Sequence, residues 1–487
     1  MENQQDETTS LLPQQQQTPT RHSPRALPTI ISTAVAILTL NIGSHIAMVP
    51  TVAILESIIC QNFYENTPIS PIDDRCKVEA IQSEVAYING WKDAFEMIPA
   101  ILLAVPYGAL ADRIGRKKVF LLAVLGCFAN DVWIRLVFWF PNIFSVRAVW
   151  LGGIGQVIGA GAATLTSMSF VLVADVCSPE QRTIAFSYIK SAMLVSELVF
   201  LPLGGTLVSV NPWIPMLASC GFTIAGFLVA LIFISETMPS STDVRRRQST
   251  KFNLSEALRS PITLSQLVAK HLSLALVSFC FFLYHFGEQA SGSLLLQYAS
   301  KRLHWSLGKA SLLLSLGAGL HLFVLMVLLP AISTFLLHRV GLREMVKDKR
   351  LAQLSSGFLI VGSGLIFIAT SLPAMITGQV FSSLGYFFQI AIRSFVTNMV
   401  EPSQLGALFT IVAVFTYIGS LVGAPFFAWA FKLGMQLGGI WVGMPFFIAG
   451  MSFGAALLVV SAIGTKDRIN DTDAGSLADS VESRLND

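Results

Sequence analysis

The sequence predicts an all-α membrane protein with twelve transmembrane helices, set as two six-helix repeats around a central cavity. Three observations predict it: a succession of long apolar runs, an uneven distribution of basic residues among the loops, and a faint internal repeat. Of 487 residues, 53% are hydrophobic and 13% charged, with a mean hydropathy of +0.65. Soluble domains carry about 25% charged residues. A bilayer core about 30 Å thick needs roughly 20 apolar residues per helix. Runs of that kind fall at residues 28–59, 87–111, 119–140, 143–174, 183–209, 213–235, 272–296, 310–337, 351–370, 374–400, 405–431 and 440–463. They are continuous rather than alternating, which excludes a β-barrel.

In chain order, residues 1–27 form a polar, Gln-rich tail, expected to be disordered and not a cleaved signal. Residues 28–235 hold the first six spans and residues 270–465 the second six. Between them lies a polar, basic linker, 236–269, in which "NLSEALRS" reads as a short surface helix capped by Asn253 or Ser255. Residues 466–487 form a second polar tail. Of the 32 Lys and Arg residues, 21 fall in the tails and in loops on the same side of the membrane. Arg75, Lys77, Lys301, Arg302, Lys309 and Lys432 fall on the other side. The bias puts both termini in the cytoplasm. Cys127, Cys177, Cys220 and Cys280 sit in or at the ends of spans and read as packed thiols. Cys60 and Cys76 share the first outer loop, where they are either bridged or two free thiols.

The two halves resemble each other. "GQV" occurs at residues 155–157 and again at 378–380, 223 residues later. The same offset pairs Asp175 with Asn398, Pro179 with Pro402, Gln181 with Gln404 and Pro202 with Pro425. "DRIGRKKV" has a worn counterpart in "HRVGLREM". Paired repeats of this kind build secondary transporters, whose substrate site lies near the midplane between the repeats.

Between the second and third spans stands "GALADRIGRK", that is Gly108, Asp112, Arg113, Gly115, Arg116 and Lys117. At this place in a twelve-span chain the pattern resembles the signature of the major facilitator superfamily. "DVCSPEQR" after span four and "SETMP" closing span six resemble further landmarks of that family, and the likeness covers about residues 28–465. The long, Cys-containing outer loop and the Gln-rich tail look most like fungal multidrug and secondary-metabolite transporters. The resemblance implies a secondary active transporter that moves a small organic molecule by alternating access, as proton-coupled efflux of a metabolite or drug. It also implies that Asp112 faces the N-terminus of span eleven, and that Arg116 pairs with Asp175. Such contacts would latch the halves on the cytoplasmic side; the alternative is that the cluster is only a positive-inside anchor.

Ionisable groups inside spans mark functional sites by default. Glu197, about fourteen residues into span five, is the first choice to carry the coupling proton, since a carboxyl group in so apolar a place can take up a proton near neutral pH. The alternative is a structural pair with Lys190. Glu288 on span seven is the second choice, and His321 lies on span eight. Lys92, Asp93 and Glu96 on span two suit either an outer gate or a coupling site. Asp131 and Arg135 on span three read as structural, with Arg147 as a further neutraliser of Asp131. Arg393 on span ten either holds an anionic substrate group or pairs with a polar residue. Asn41 and His45 on span one, Gln156 on span four, Tyr284, His285 and Gln289 on span seven, and Gln389 on span ten hydrogen-bond either a substrate or another helix.

Two departures leave the direction open. Span five keeps Pro202, Gly204 and Gly205 but lacks the upstream glycines of family antiporters, and span four lacks their close Arg-to-Gly spacing. A proton-coupled importer and a receptor without flux therefore stand as alternatives. No catalytic constellation, metal site or P-loop is present, so the reading is not an enzyme, without cofactor or metal, and not driven by ATP. The expected partners are the small-molecule substrate, protons and the lipid bilayer, with no nucleic acid, and the protein is expected to be a monomer. The plasma membrane is the expected location. "ETTSLL" at residues 7–12 resembles an acidic dileucine sorting signal, which makes a vacuolar or vesicular membrane the alternative.

Overall fold

A peptide group left unsatisfied in lipid costs several kcal/mol, so each long apolar run has to close its own hydrogen bonds as a helix. The computed structural model describes residues 26–64, 74–177, 179–237, 272–397 and 405–464, and every extended element among them is helical. The first six spans are Ala26–Phe63, Glu79–Ile114, Arg116–Trp139, Val146–Val176, Pro179–Val208 and Trp213–Phe233. The seventh runs from Leu272 to Leu303 through a π-turn, Ala290–Leu294. The eighth is Leu307–His338, the ninth Glu344–Ile368, the tenth Leu372–Thr397, the eleventh Leu405–Leu437, and the twelfth Met444–Ala462. Ten of these are long and apolar enough to cross a membrane. The other two are the second, which carries Lys92, Asp93 and Glu96 in mid-helix, and the seventh, which carries His285 and Glu288.

The helices outrun the apolar stretches where their ends leave the hydrocarbon. The second begins at Glu79, the seventh continues through Lys301 and Arg302, and the ninth takes Lys347, Asp348, Lys349 and Arg350 into its first turns. Water solvates those charges, so hydropathy is blind to helix that continues past the lipid. The linker helix expected at 253–260, the tails and the dileucine motif lie outside the described residues.

Within the first half, span one packs on spans five and six, and span three on span four. Within the second, span nine packs on ten and twelve, and span seven on eleven and twelve. The halves meet where span two runs along span eleven and span five along span eight. Mapping each span onto the one six places later exchanges these two contacts, so the interface carries the symmetry of the repeat. The matched prolines of the repeat, Pro202 and Pro425, both sit inside helices, in spans five and eleven. At the outer end, span five meets span eight through Gly205 and Gly308. A Cβ on Gly308 would lie 2.4 Å from the Gly205 carbonyl oxygen, so only glycine lets these backbones meet.

Cys60 and Cys76 are joined, with Cα atoms 5.4 Å apart, which ties the short turn Asp74–Lys77 to the outer end of span one. Cys127, Cys220 and Cys280 are free thiols. Peptide mapping without reductant is expected to recover Cys60 and Cys76 in one cross-linked product; both alkylated as free thiols would rule the bridge out.

Candidate functional site: a polar cavity between the halves

A cavity of about 360 Å³ opens between the two halves. From the first half, span one supplies Asn41 and His45, and span five supplies Lys190 and Glu197. From the second half come Tyr284 and Glu288 on span seven, His321 on span eight, and Gln379, Ser383 and Tyr386 on span ten. Each half thus contributes one carboxylate. Glu197 and Glu288 face the same cavity from opposite halves.

Neighbouring side chains hold this set in place. His285 Nδ1 lies 2.9 Å from Glu288 Oε2, one helical turn away. Tyr284 meets the His285 ring edge-on at 5.0 Å and stacks on Phe388 at 5.2 Å. His321 stacks flat on Tyr386, with ring centroids 3.9 Å apart. Lys190 from the first half and Tyr386 from the second line the same cavity. Asn41 donates to the Ile37 carbonyl at 2.8 Å. Two polar atoms of the cavity wall, Gln379 Oε1 and Ser383 Oγ, are buried without a hydrogen-bond partner. Such groups cost about 1–3 kcal/mol each, a cost that a polar ligand would offset.

Of the residues singled out from sequence, Asn41, His45, Lys190, Glu197, Tyr284, Glu288 and His321 line this cavity, and His285 holds Glu288 from behind. Gln156, Gln389 and Arg393 are not among its lining residues. Gln156 is buried in the 3₁₀ turns of span four against Gly161. The Arg393 guanidinium lies 5.9 Å from the Phe281 ring centre. Sequence reasoning missed Gln379, Ser383 and Tyr386. One signal for Gln379 was present: it is the repeat partner of Gln156, the middle residue of the second "GQV".

The loop between spans two and three is a built joint. Gly115 has φ +109°, and a Cβ there would lie 2.2 Å from Glu236 Oε2, so backbone and space both require glycine. The Glu236 carboxylate, from "SETMP", accepts from the Arg116 backbone N–H at 2.9 Å, where a helix start favours an anion. The Arg116 guanidinium pairs with Asp175 at the end of span four. Asp175 also accepts from the Thr237 hydroxyl at 2.7 Å, and Lys117 donates to the Leu231 carbonyl at 2.7 Å. These bonds tie spans three, four and six together at the ends that meet at this loop. The Asp112 side chain and the N-terminal residues of span eleven expected to meet it lie outside the described side chains.

Nearer the outer side, Arg147 pairs with Glu84 at 2.9 Å and not with Asp131. Its place at the outer start of span four sets it against the outer end of span two. Arg135 serves Asp131 instead, at 3.6 Å, and also donates to the Met216 carbonyl and the Ser219 hydroxyl.

Residues 81–346 match the family model described as Major Facilitator Superfamily. The chain belongs to the major facilitator superfamily. It is 38% identical over 442 residues to an efflux pump, ustT, of Aspergillus flavus, covering 87% of this chain and 85% of that one. It is 32% identical to the MFS efflux pump atnC of Emericella nidulans, over 91% of this chain and 89% of the other. Among solved structures it resembles a D-xylose–proton symporter, with TM-score 0.65 and 13% identity over 90% of this chain and 98% of that one. It also resembles the human organic anion transporter MFSD10, with TM-score 0.61 and 18% identity, over 90% and 100%. This superfamily member is therefore a multi-pass membrane transporter and not an enzyme.

Proposed function

We propose that this superfamily member exports a small organic molecule across the plasma membrane in exchange for protons, working as a monomer by alternating access. The observation that carries the reading is the pair Glu197 and Glu288, one on each half, facing a single cavity. In an alternating-access cycle a coupling group has to reach both sides of the membrane in turn, and a carboxylate on the wall between the halves does so. Glu197 carries the proton. Glu288, gripped by His285, is the acid against whose charge Glu197 titrates. Gln379 and Ser383 supply hydrogen bonds to the solute. Efflux is favoured over uptake because the relatives described above are named efflux pumps. A proton-coupled importer is the second reading, favoured by the missing glycines of span five. Comparing metabolites retained by cells with and without the protein identifies the solute. A solute retained more in its absence supports export; one retained less supports uptake.

The signature loop works as the cytoplasmic latch, with Asp112 facing the start of span eleven. A carboxylate at a helix N-terminus contributes about 0.3–1 kcal/mol, up to ~2 kcal/mol when partly buried. Asp112→Asn is therefore expected to slow transport by roughly fivefold for each ~1 kcal/mol lost, with expression and solute binding close to wild type. Initial rates normalised to protein in the membrane check this. An unchanged rate would reduce the motif to a topological anchor.

A further inference from the structure

Beyond the central cavity, towards the outer surface, lies a second chamber of about 350 Å³. Met48 on span one and Gly292 in the π-turn of span seven line both, so the two spaces adjoin. The chamber wall carries three carboxylates, Asp93, Glu96 and Asp131. Into their midst reaches Lys92, its ammonium 2.8 Å from Asp93 and 3.1 Å from Glu96. Glu96 also accepts from Asn130 Nδ2 at 3.1 Å, while Asn130 Oδ1, beside Gly152, is buried without a partner. Arg135, the partner of Asp131, divides its guanidinium with Met216 and Ser219 and does not line the chamber.

We propose that this chamber is a binding site for organic ammonium groups, passed by cationic solutes between the central cavity and the outer surface, with Lys92 as its resident ligand. Charged residues are costly inside a membrane helix, and well-packed apolar residues stabilise a buried site as well as an ion pair does. A four-charge cluster around an open space of this size is therefore costly as mere packing. It is suited to exchanging one ammonium for another. A primary amine on a solute reproduces the Lys92 head group and its contacts with Asp93 and Glu96, while the four-carbon lysine stem lets the resident ammonium swing aside. A Cβ at Gly292, in the π-turn between the two spaces, would meet nothing within 4 Å.

The probe is n-propylammonium, titrated calorimetrically into the purified full-length protein. Lys92→Met removes the resident charge at similar bulk. It is expected to bind n-propylammonium at least about tenfold more tightly than wild type, and adding Glu96→Gln is expected to remove that gain. Lys92→Gln, which keeps hydrogen bonds to both acids, serves as the second variant and is expected to move in the same direction. Binding no tighter than wild type in both variants, or a gain that survives Glu96→Gln, would overturn the proposal. Proton coupling plays no part in this readout, so its outcome is independent of the role given to Glu197.

Discussion

Glu197→Gln is expected to abolish uphill transport while leaving downhill exchange of the solute intact. The amide matches the protonated carboxyl in shape and donates a hydrogen bond, but it cannot release a proton. With one proton exchanged per solute, a pH step of one unit sustains a concentration ratio of about tenfold. The wild-type protein in liposomes should approach that ratio, and the Gln variant should stay near unity while still exchanging labelled for unlabelled solute. Position explains why this acid and not a surface one is chosen: Glu197 faces the cavity between the halves, which alternating access opens to each side in turn. Accumulation by the Gln variant after a pH step would remove Glu197 as the carrier. The same test on Glu288 would follow, and failure of both would leave uniport or another coupling group.

The second large effect is expected from Gly308→Leu. Backbone atoms of spans five and eight meet at Gly205 and Gly308, and a Cβ at Gly308 would stand 2.4 Å from the Gly205 carbonyl oxygen. The closed outer side cannot accept a leucine without spreading these helices. Overpacking of this kind costs about 1–3 kcal/mol, roughly 5- to 150-fold in a conformational equilibrium. The variant should favour the outward-open state, lose most of its transport, and still bind solute from outside. Ser291 lines the central cavity. A Ser291→Cys reporter should therefore react faster with an impermeant maleimide in the leucine variant than in wild type. Equal labelling with normal transport would mean that the glycine pair is not part of the outer closure.

Much of the fold was legible because the bilayer leaves few choices. Apolar length gives the spans, and the 223-residue offset gives the two halves. Where the reading fell short, the cause was helix rotation. Hydropathy shows how deep a residue lies, not which face it is on. Glu197 and Glu288 stood out because charge in a span is costly, and both line the cavity. Arg393 stood out for the same reason; its guanidinium lies 5.9 Å from the Phe281 ring centre, and it is not among the residues lining this cavity. Arg147 was matched to Asp131 on depth alone, whereas Glu84 is the acid that packing brings beside it. Tyr386 and Ser383 had no sequence signal, since tyrosines and serines in spans mostly meet other helices. Gln379 had one, through the repeat, but the symmetry does not tell which member of a pair faces the cavity. The joint at Gly115 was recognised as a motif, whereas the part played by Glu236, 120 residues away from Arg116, needed the tertiary structure.

The central claim is exchange of solute for proton, and the direction of proton movement tests it most directly. Purified protein is sealed into liposomes holding a pH-sensitive dye, and the solute retained by cells lacking the protein is added outside without any imposed gradient. Exchange predicts that the lumen turns alkaline as solute enters, by an amount proportional to solute uptake and absent in Glu197→Gln. A lumen that acidifies would mean symport and therefore uptake, and one that holds its pH while solute enters would mean that no proton is coupled at all.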